Sequence, residues 1–209
     1  MSMEPTSTQN EVIFTPTIKL QKEISDVIFL DVELAGDVTG NGVYQHEEVV
    51  GRANLQIFNE KWISGSLTDY VEYALKNASA LRYNELQILK NLLTSEMIHL
   101  VKDKGTIAYL HHFELFPQYR GRGLTKPYLW LLLKCLKEEI RADYVMLMVH
   151  PEGEFYADEI ANEQKRLIQL YSRNGFSKIK TKKPVMNNSG IPTVYMWSNL
   201  ANKSFDKFS

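Results

Sequence analysis

Two arginines alternate with two glycines in Arg120-Gly121-Arg122-Gly123, between an extended apolar run and a strongly helical one. Glycine has no Cβ, so it tolerates a positive φ angle and lets a ligand approach the backbone closely. The first N–H groups of the following helix have no intrahelical partner, and the helix dipole favours negative charge there. The arginines add planar donors that suit phosphate. This stretch therefore predicts an anion site.

The elements on either side must hold this stretch in place. Thr106–Phe116 is apolar and extended, and predicts a strand. Leu124–Ala142 predicts a helix, and Pro127 falls in its first turn, where a missing N–H costs nothing. Asp143–Val149 is continuously apolar, as expected of a buried strand. A strand, a glycine-rich turn and a helix would together present backbone N–H groups to an anion.

A second motif lies one strand further on. Residues 170–176, Leu-Tyr-Ser-Arg-Asn-Gly-Phe, end a helix that is predicted over about Asp158–Asn174. This motif and the Gln-x-x-Gly-x-Gly that begins at Gln118 resemble the two signatures of the GCN5-related N-acetyltransferase (GNAT) superfamily. The signatures and the strand between them cover Thr106–Phe176. The resemblance implies an α/β fold with a mixed, mostly antiparallel central sheet, whose central strands splay apart and are flanked by helices.

The resemblance also implies an enzyme, an N-acetyltransferase that uses acetyl-CoA as co-substrate and no metal. The acetyl group would pass to a primary amine by direct attack. In the family the pyrophosphate binds the backbone of the glycine-rich loop, which is Gln118–Thr125 in this sequence. Pantetheine pairs with free backbone groups at the end of the central strand. The Thr125 hydroxyl could bond a phosphate oxygen or cap the helix. The implied cofactor-binding positions are Phe113, Leu115, Gln118, Arg120, Gly121, Arg122, Gly123, Leu124, Thr125 and Gln164.

Tyr171 is the catalytic acid that the resemblance implies. The family's tyrosine at this position lies near the thioester sulfur and protonates the departing thiolate. A phenol with a pKa of about 10 is protonated at neutral pH and can serve as that acid. The alternative is a core tyrosine packed next to Phe176.

The acceptor needs a base if it is an amine. An amine with a pKa of about 10.4 is neutral in only about one part in two to three thousand at pH 7. The candidates are Glu114, His111 and His112 on the predicted central strand. Because side chains alternate along a strand, His112 and Glu114 are expected to share a face that His111 does not, and to act together. The alternative is a purely structural role. Zinc binding by His99, His111 and His112 has no supporting spacing.

Two further residues lie on the helix after the loop. Cys135 is surrounded by apolar residues and is expected to pack rather than act as a nucleophile. Trp130 falls on the polar stripe of the helix. It is expected to lie under the C-terminal tail or across lysine stems; the alternative is that it anchors a partner.

The remaining segments complete the predicted order of elements. Further strands are predicted at Val12–Leu20, Asp26–Leu34, Val49–Phe58, Ser177–Lys183 and Thr193–Asn199, with a turn at Gly36–Gly42. Helices are predicted at Ser66–Ala78 and Leu81–Val101. The GNAT family usually places two helices between its first and second strands, whereas this order places them after the first hairpin. Acceptor recognition is what this departure affects.

Length and composition favour one domain. A chain of 209 residues can bury one sizeable core. Residues 12–200 are the predicted domain, with an acceptor-side half at 12–104 and an acyl-CoA half at 105–200. Residues 1–11 are expected to be a disordered tail, and residues 201–209 a second tail.

Charge and cysteine content limit the partners and the compartment. The net charge of −1 gives no electrostatic case for nucleic acid or membrane. One cysteine excludes an internal disulfide, no signal peptide is visible, and a cytoplasmic location is expected. The expected partner is a small-molecule or peptide amine, and a homodimer stays open. Two rival functions remain: a CoA-binding regulatory module without turnover, and a relative that uses a donor such as aminoacyl-tRNA, against which the near-neutral charge argues.

Overall fold

The computed structural model describes residues 12–24, 28–40, 43–59, 106–149, 151, 157–179, 185–186 and 192–205. The strands are β1 (Val12–Ile24), β2 (Ile28–Gly40), β3 (Val43–Asn59), β4 (Thr106–Leu115), β5 (Tyr144–Val149), β6 (Ser177–Lys178), β7 (Val185–Met186) and β8 (Pro192–Asn199). The helices are α1 (Thr125–Glu138), α2 (Ala157–Arg173) and a short 3-10 helix before α1 (Pro117–Tyr119). The predicted helices Ser66–Ala78 and Leu81–Val101 and the predicted tail at 1–11 lie outside the described residues.

The strands form a mixed sheet in the order β1-β2-β3-β4-β5-β8-β6, with β7 paired to β8. Only the β4–β5 pair at the centre is parallel, and the other described pairs are antiparallel. This topology confirms the predicted mixed, mostly antiparallel sheet with flanking helices. The division into a single domain with two halves and tails stays a prediction.

The first three strands form a continuous antiparallel meander. Only residues 25–27 separate β1 from β2, so no pair of helices lies between these two strands. The predicted place of the helices, after the first hairpin, stays a prediction. The prediction of a turn at Gly36–Gly42 is wrong for its first five residues, because β2 continues through Gly40 and pairs with β3. Register shifts after Leu34 and Val38 accommodate the glycine-rich run inside the strand. The pairing of β2 with β3 therefore extends to Gly40 opposite Val43.

Helix α1 packs against one face of the sheet and holds the loop to the core. Its apolar side chains recur at helical spacing, and five of them are buried there: Tyr128, Leu129, Leu132, Leu133 and Leu136. The Tyr128 hydroxyl donates a hydrogen bond to the Ala35 carbonyl at 2.5 Å. Burial raises the pKa of Tyr128, so its hydroxyl remains a donor. The start of α1 is thereby fixed relative to β2.

The segment after β8 packs across α1. Phe205 is buried in the core, and its ring meets Trp130 edge-on at 5.9 Å between centroids. The Lys134 ammonium lies 5.4 Å from the Trp130 ring centroid. Lys137 donates hydrogen bonds to the Ala201 carbonyl, at 3.3 Å, and to the Lys203 carbonyl. The predicted position of Trp130, under the C-terminal segment and across a lysine, is confirmed.

Cys135 is buried on the same helix. Burial raises the pKa of its thiol to about 12, so the thiol is protonated at neutral pH. This supports the expected packing role. In the described part of the chain, no helix has the length and apolar character needed to cross a membrane.

Gly51 permits a close approach of β3 and β4 at the strand end that leads to the loop. A Cβ on Gly51 would lie 2.2 Å from the Glu114 carbonyl oxygen and 3.0 Å from the Leu115 Cα.

Backbone atoms cannot yield as a side chain can, so Gly51→Ala is expected to lower the free energy of unfolding by about 1–3 kcal/mol. Urea unfolding measures this. The exposed neighbour Val49→Ala is the control and should stay within about 0.5 kcal/mol. Unchanged stability of Gly51→Ala would contradict the close approach.

Candidate functional site

The N-terminus of α1 is open. Its N-cap is Leu124, which makes no side-chain capping bond, and the first turn contains no acidic residue. The first helical hydrogen bond runs from the Tyr128 N–H to the Leu124 carbonyl at 3.1 Å. Thr125 lies inside the first turn rather than at the N-cap. The peptide N–H groups at the start of α1 are therefore placed to bind an anion.

Both glycines of the loop have the conformation that the sequence predicts. Gly121 and Gly123 each have a φ of +75°, a region that residues with a Cβ rarely adopt. A Cβ built on either glycine would have no atom within 4 Å. The backbone at these positions is thus accessible from outside, and the loop forms an open cradle beside the helix N-terminus.

Tyr119 anchors this loop to the sheet. It is buried, and its hydroxyl donates a hydrogen bond to the Glu48 carboxylate on β3. That hydrogen bond, together with burial, raises the pKa of Tyr119. The Arg122 guanidinium carbon lies 5.6 Å from the centroid of the Tyr119 ring. Sequence reasoning misses this anchor, because the two bonded residues lie 71 positions apart and no local pattern links them.

The central strands splay beside the loop. β4 pairs with β5 only as far as Leu110 opposite Leu147, although β4 continues to Leu115 in its pairing with β3. The register with β3 shifts at His111, which is an extra residue on β4. Such a β-bulge bends the strand and increases its twist. The divergence of the two strands therefore begins at the bulge, as the predicted splay requires.

Backbone groups of β4 point into this gap. The Phe116 N–H donates to the Val50 carbonyl of β3 at 2.8 Å. Peptide groups alternate sides along a strand, so those of Leu115 and Phe113 point away from β3. The Leu115 carbonyl accepts a hydrogen bond from the Arg120 Nε at 2.8 Å. One position expected to pair with pantetheine is thus covered by a loop arginine.

A carboxylate lies at the same strand end. Glu114 Oε1 accepts a hydrogen bond from the Arg52 Nε at 2.8 Å and lies 3.1 Å from the His112 Nε2. Glu114 Oε2 lies 3.7 Å from an Arg120 guanidinium nitrogen. Burial acts to raise the pKa of Glu114, but the hydrogen bonds from His112 and Arg52 outweigh it, and the pKa lies below the ordinary value. Glu114 is therefore a carboxylate anion at neutral pH. The contact with His112 is present, and the catalytic role of the pair stays a prediction.

The expected orientation of His111 is wrong. Its Nε2 lies 3.1 Å from the Gln56 Oε1, and its ring meets Tyr109 edge-on at 4.6 Å. Gln56 and Arg52 are four residues apart on β3 and share a face. Because Arg52 binds Glu114, His111 lies on the same face as the His112/Glu114 pair. The bulge is the reason, since its extra residue interrupts the alternation of side chains.

Tyr171 lies in the last turn of α2 and is 8% exposed. Its ring meets Phe176 edge-on, with 5.6 Å between centroids. The Phe176 N–H donates to the Tyr171 carbonyl at 3.0 Å across Gly175, whose φ is +80°. This Schellman geometry confirms that Gly175 ends the helix. The core contact that the sequence leaves as the alternative for Tyr171 is present, and its role as an acid stays a prediction.

Gln164, the implied cofactor residue on α2, is hydrogen-bonded to β8. The Gln164 side-chain nitrogen donates to the Pro192 carbonyl at 2.9 Å, which ties α2 to β8. Its role toward a cofactor stays a prediction, as does that of the exposed Gln118. His99 lies outside the described residues. Among the residues that are described, no group of three or more His, Cys, Asp or Glu side chains is placed to hold a metal ion.

Comparisons with known proteins give structural matches alone. The sequence matches no protein-family model and no curated protein. Similar solved structures include a mutant agmatine N-acetyltransferase in its apo form, with 13% identity, a TM-score of 0.47 and coverage of 79% of this chain and 75% of that one. Another is a polyamine N-acetyltransferase of Drosophila melanogaster, with 14% identity, a TM-score of 0.49 and coverage of 79% and 74%. A third is Arabidopsis thaliana NAA60 with a bisubstrate analogue, with 15% identity, a TM-score of 0.42 and coverage of 83% and 74%.

Proposed function

We propose that this chain is an acyltransferase of the GNAT superfamily, which transfers an acetyl group from acetyl-CoA to a primary amine by direct attack. The observation that carries the proposal is the continuity of two open features. β4 diverges from β5 after Leu110, and the loop that follows β4 leads directly to the N-terminus of α1. One elongated donor can therefore place its diphosphate on the loop and its pantetheine arm in the gap.

The donor's diphosphate would bind the backbone N–H groups from Gly121 to Thr125. These groups lie at the positive end of α1, which no first-turn acid neutralises. Arg122 adds a cationic fork from the loop. The amide groups of pantetheine would extend the sheet at Phe113, whose peptide groups point into the gap. Each of these contacts uses a group that the fold already holds in position.

The reaction joins the amine nitrogen to the acyl carbon and breaks the bond from that carbon to sulfur. The departing thiolate would take a proton from the Tyr171 hydroxyl. The attacking nitrogen must lose protons, and a lysine-like ammonium needs roughly 4–5 kcal/mol to reach its neutral form at pH 7. Imidazole is a stronger base than a carboxylate. His112 would therefore accept the proton, and the Glu114 anion would hold the resulting imidazolium and attract the cationic amine.

Acetyl-CoA turnover tests the proposal. Release of free thiol is measured against a panel of antibiotics, polyamines, peptide N-termini and lysine-bearing peptides. The proposal expects at least one amine to produce thiol release that requires both substrates, with acetylated amine as the second product. CoA binding without release with any amine of the panel would instead identify the regulatory module.

A further inference from the structure

Arg120 belongs to the glycine-rich loop before α1, but its side chain reaches back to the end of β4. Its Nε donates to the Leu115 carbonyl at 2.8 Å, and a terminal nitrogen lies 3.7 Å from the Glu114 Oε2. The side chain is 56% exposed, so it lies at the mouth of the gap rather than inside the core. Arg120 therefore touches the strand end and the acceptor-side carboxylate at the same time.

Each of these contacts competes with one that is expected for the donor or the acceptor. The Leu115 carbonyl is a group that pantetheine would pair with, and a guanidinium on that carbonyl occupies the approach. Glu114 would attract the cationic amine, and Arg120 is a cation already beside it. The guanidinium itself is a preferred partner of phosphate.

We propose that Arg120 is a ligand shared by the donor and acceptor subsites, and that the donor's diphosphate withdraws it from β4. The inference rests on the proposed function. In the free protein Arg120 covers the Leu115 carbonyl and lies against Glu114. When a diphosphate occupies the loop, the guanidinium moves to it, the strand end opens to the pantetheine arm, and Glu114 is left to the amine. Binding of the donor and binding of the acceptor therefore favour each other.

The two oxygens of Glu114 make this exchange selective. Oε1 is bound by Arg52 and lies next to His112, whereas Oε2 faces Arg120. Withdrawal of Arg120 would expose Oε2 and leave the contacts of Oε1 in place. An ion pair that is this exposed is weak, whereas a charge-assisted fork to phosphate is among the stronger hydrogen-bonding arrangements. The guanidinium is therefore expected to bind the diphosphate rather than Glu114.

CoA affinity gives a test in which the direction of the change decides. Isothermal titration measures the Kd of CoA for the wild type, Glu114→Gln, Arg120→Ala and the double variant. Competition predicts that Glu114→Gln binds CoA about two- to fivefold more tightly, because Arg120 is no longer held back. Arg120→Ala should bind about tenfold more weakly, because a charge-assisted hydrogen bond is lost. In the Arg120→Ala background, Glu114→Gln should bring no gain.

A control separates this exchange from a general effect of charge. Glu33→Gln removes a carboxylate from β2, opposite Arg52 in the sheet, and is expected to leave the Kd of CoA within about twofold of the wild type. An unchanged or weaker affinity of Glu114→Gln would overturn the inference, and so would a gain that persists without Arg120. A wild type that binds no CoA would overturn the proposed function itself.

The movement can also be followed directly. Arginine Nε–H signals are recorded by NMR, and the Arg120 signal is assigned by its loss in Arg120→Ala. Inorganic pyrophosphate and CoA are both expected to shift this signal, and pantetheine alone is not. If pyrophosphate leaves the Arg120 Nε–H signal unshifted, the inference is overturned, because the diphosphate would then not be what withdraws the side chain.

Discussion

Replacement of Tyr171 by phenylalanine is expected to lower kcat by about 10²- to 10⁴-fold, the usual contribution of a general acid, and to leave the Kd of CoA unchanged. The substitution removes only the hydroxyl. The ring that packs against Phe176 remains, so the fold should persist. Steady-state thiol release gives kcat, and isothermal titration gives the Kd.

Tyr128→Phe is the matched control. It removes a different buried hydroxyl, which donates to the Ala35 carbonyl. The loss of that hydrogen bond is expected to lower stability by about 1 kcal/mol without lowering kcat tenfold. Full activity of Tyr171→Phe would show that Tyr171 is only a core residue, and the leaving thiolate would then need another acid.

Valine at both Gly121 and Gly123 is expected to raise the Kd of CoA by at least about a hundredfold. Each glycine has a φ of +75°, which a β-branched residue adopts only with strain, so the loop must change conformation. Each backbone N–H that then misses a charged phosphate oxygen loses about 1.5–3 kcal/mol of binding. Isothermal titration with CoA measures the change.

Gly175→Ala provides the comparison for this variant. Gly175 also has a positive φ, of +80°, and a Cβ there would lie 2.9 Å from the Lys203 Nζ. The change should lower the melting temperature and keep the Kd of CoA within about twofold, because this glycine ends α2 and does not belong to the loop before α1. Wild-type affinity of the double valine variant would contradict a diphosphate site on this loop.

The features that the sequence predicts well are those with local signals. Glycines, a proline in the first turn of the helix and an apolar run mark β4, the loop, α1 and β5, and the observed bounds differ from the predicted ones by a few residues. Gly175 ends α2 for the same local reason. The elements from β4 to α2 therefore follow from residues that are neighbours in the chain.

The features that the sequence does not predict depend on distant pairing. Gly36 and its neighbours resemble a turn, yet pairing with β3 keeps them in a strand. The face of His111 depends on a bulge that only the register of β4 against β3 reveals. The Arg120 contact with Glu114 likewise requires the loop to fold back on its own strand. Local propensity does not determine any of these contacts.

A titration of ¹⁵N-labelled protein with CoA, followed by backbone amide signals, tests the central claim most directly. The account predicts that the amides of Gly121, Gly123, Leu124 and Thr125 shift together along one saturable curve. Inorganic pyrophosphate should shift the same amides, although it lacks the pantetheine arm. CoA that binds while these four amides stay unmoved would contradict a diphosphate site at the start of α1.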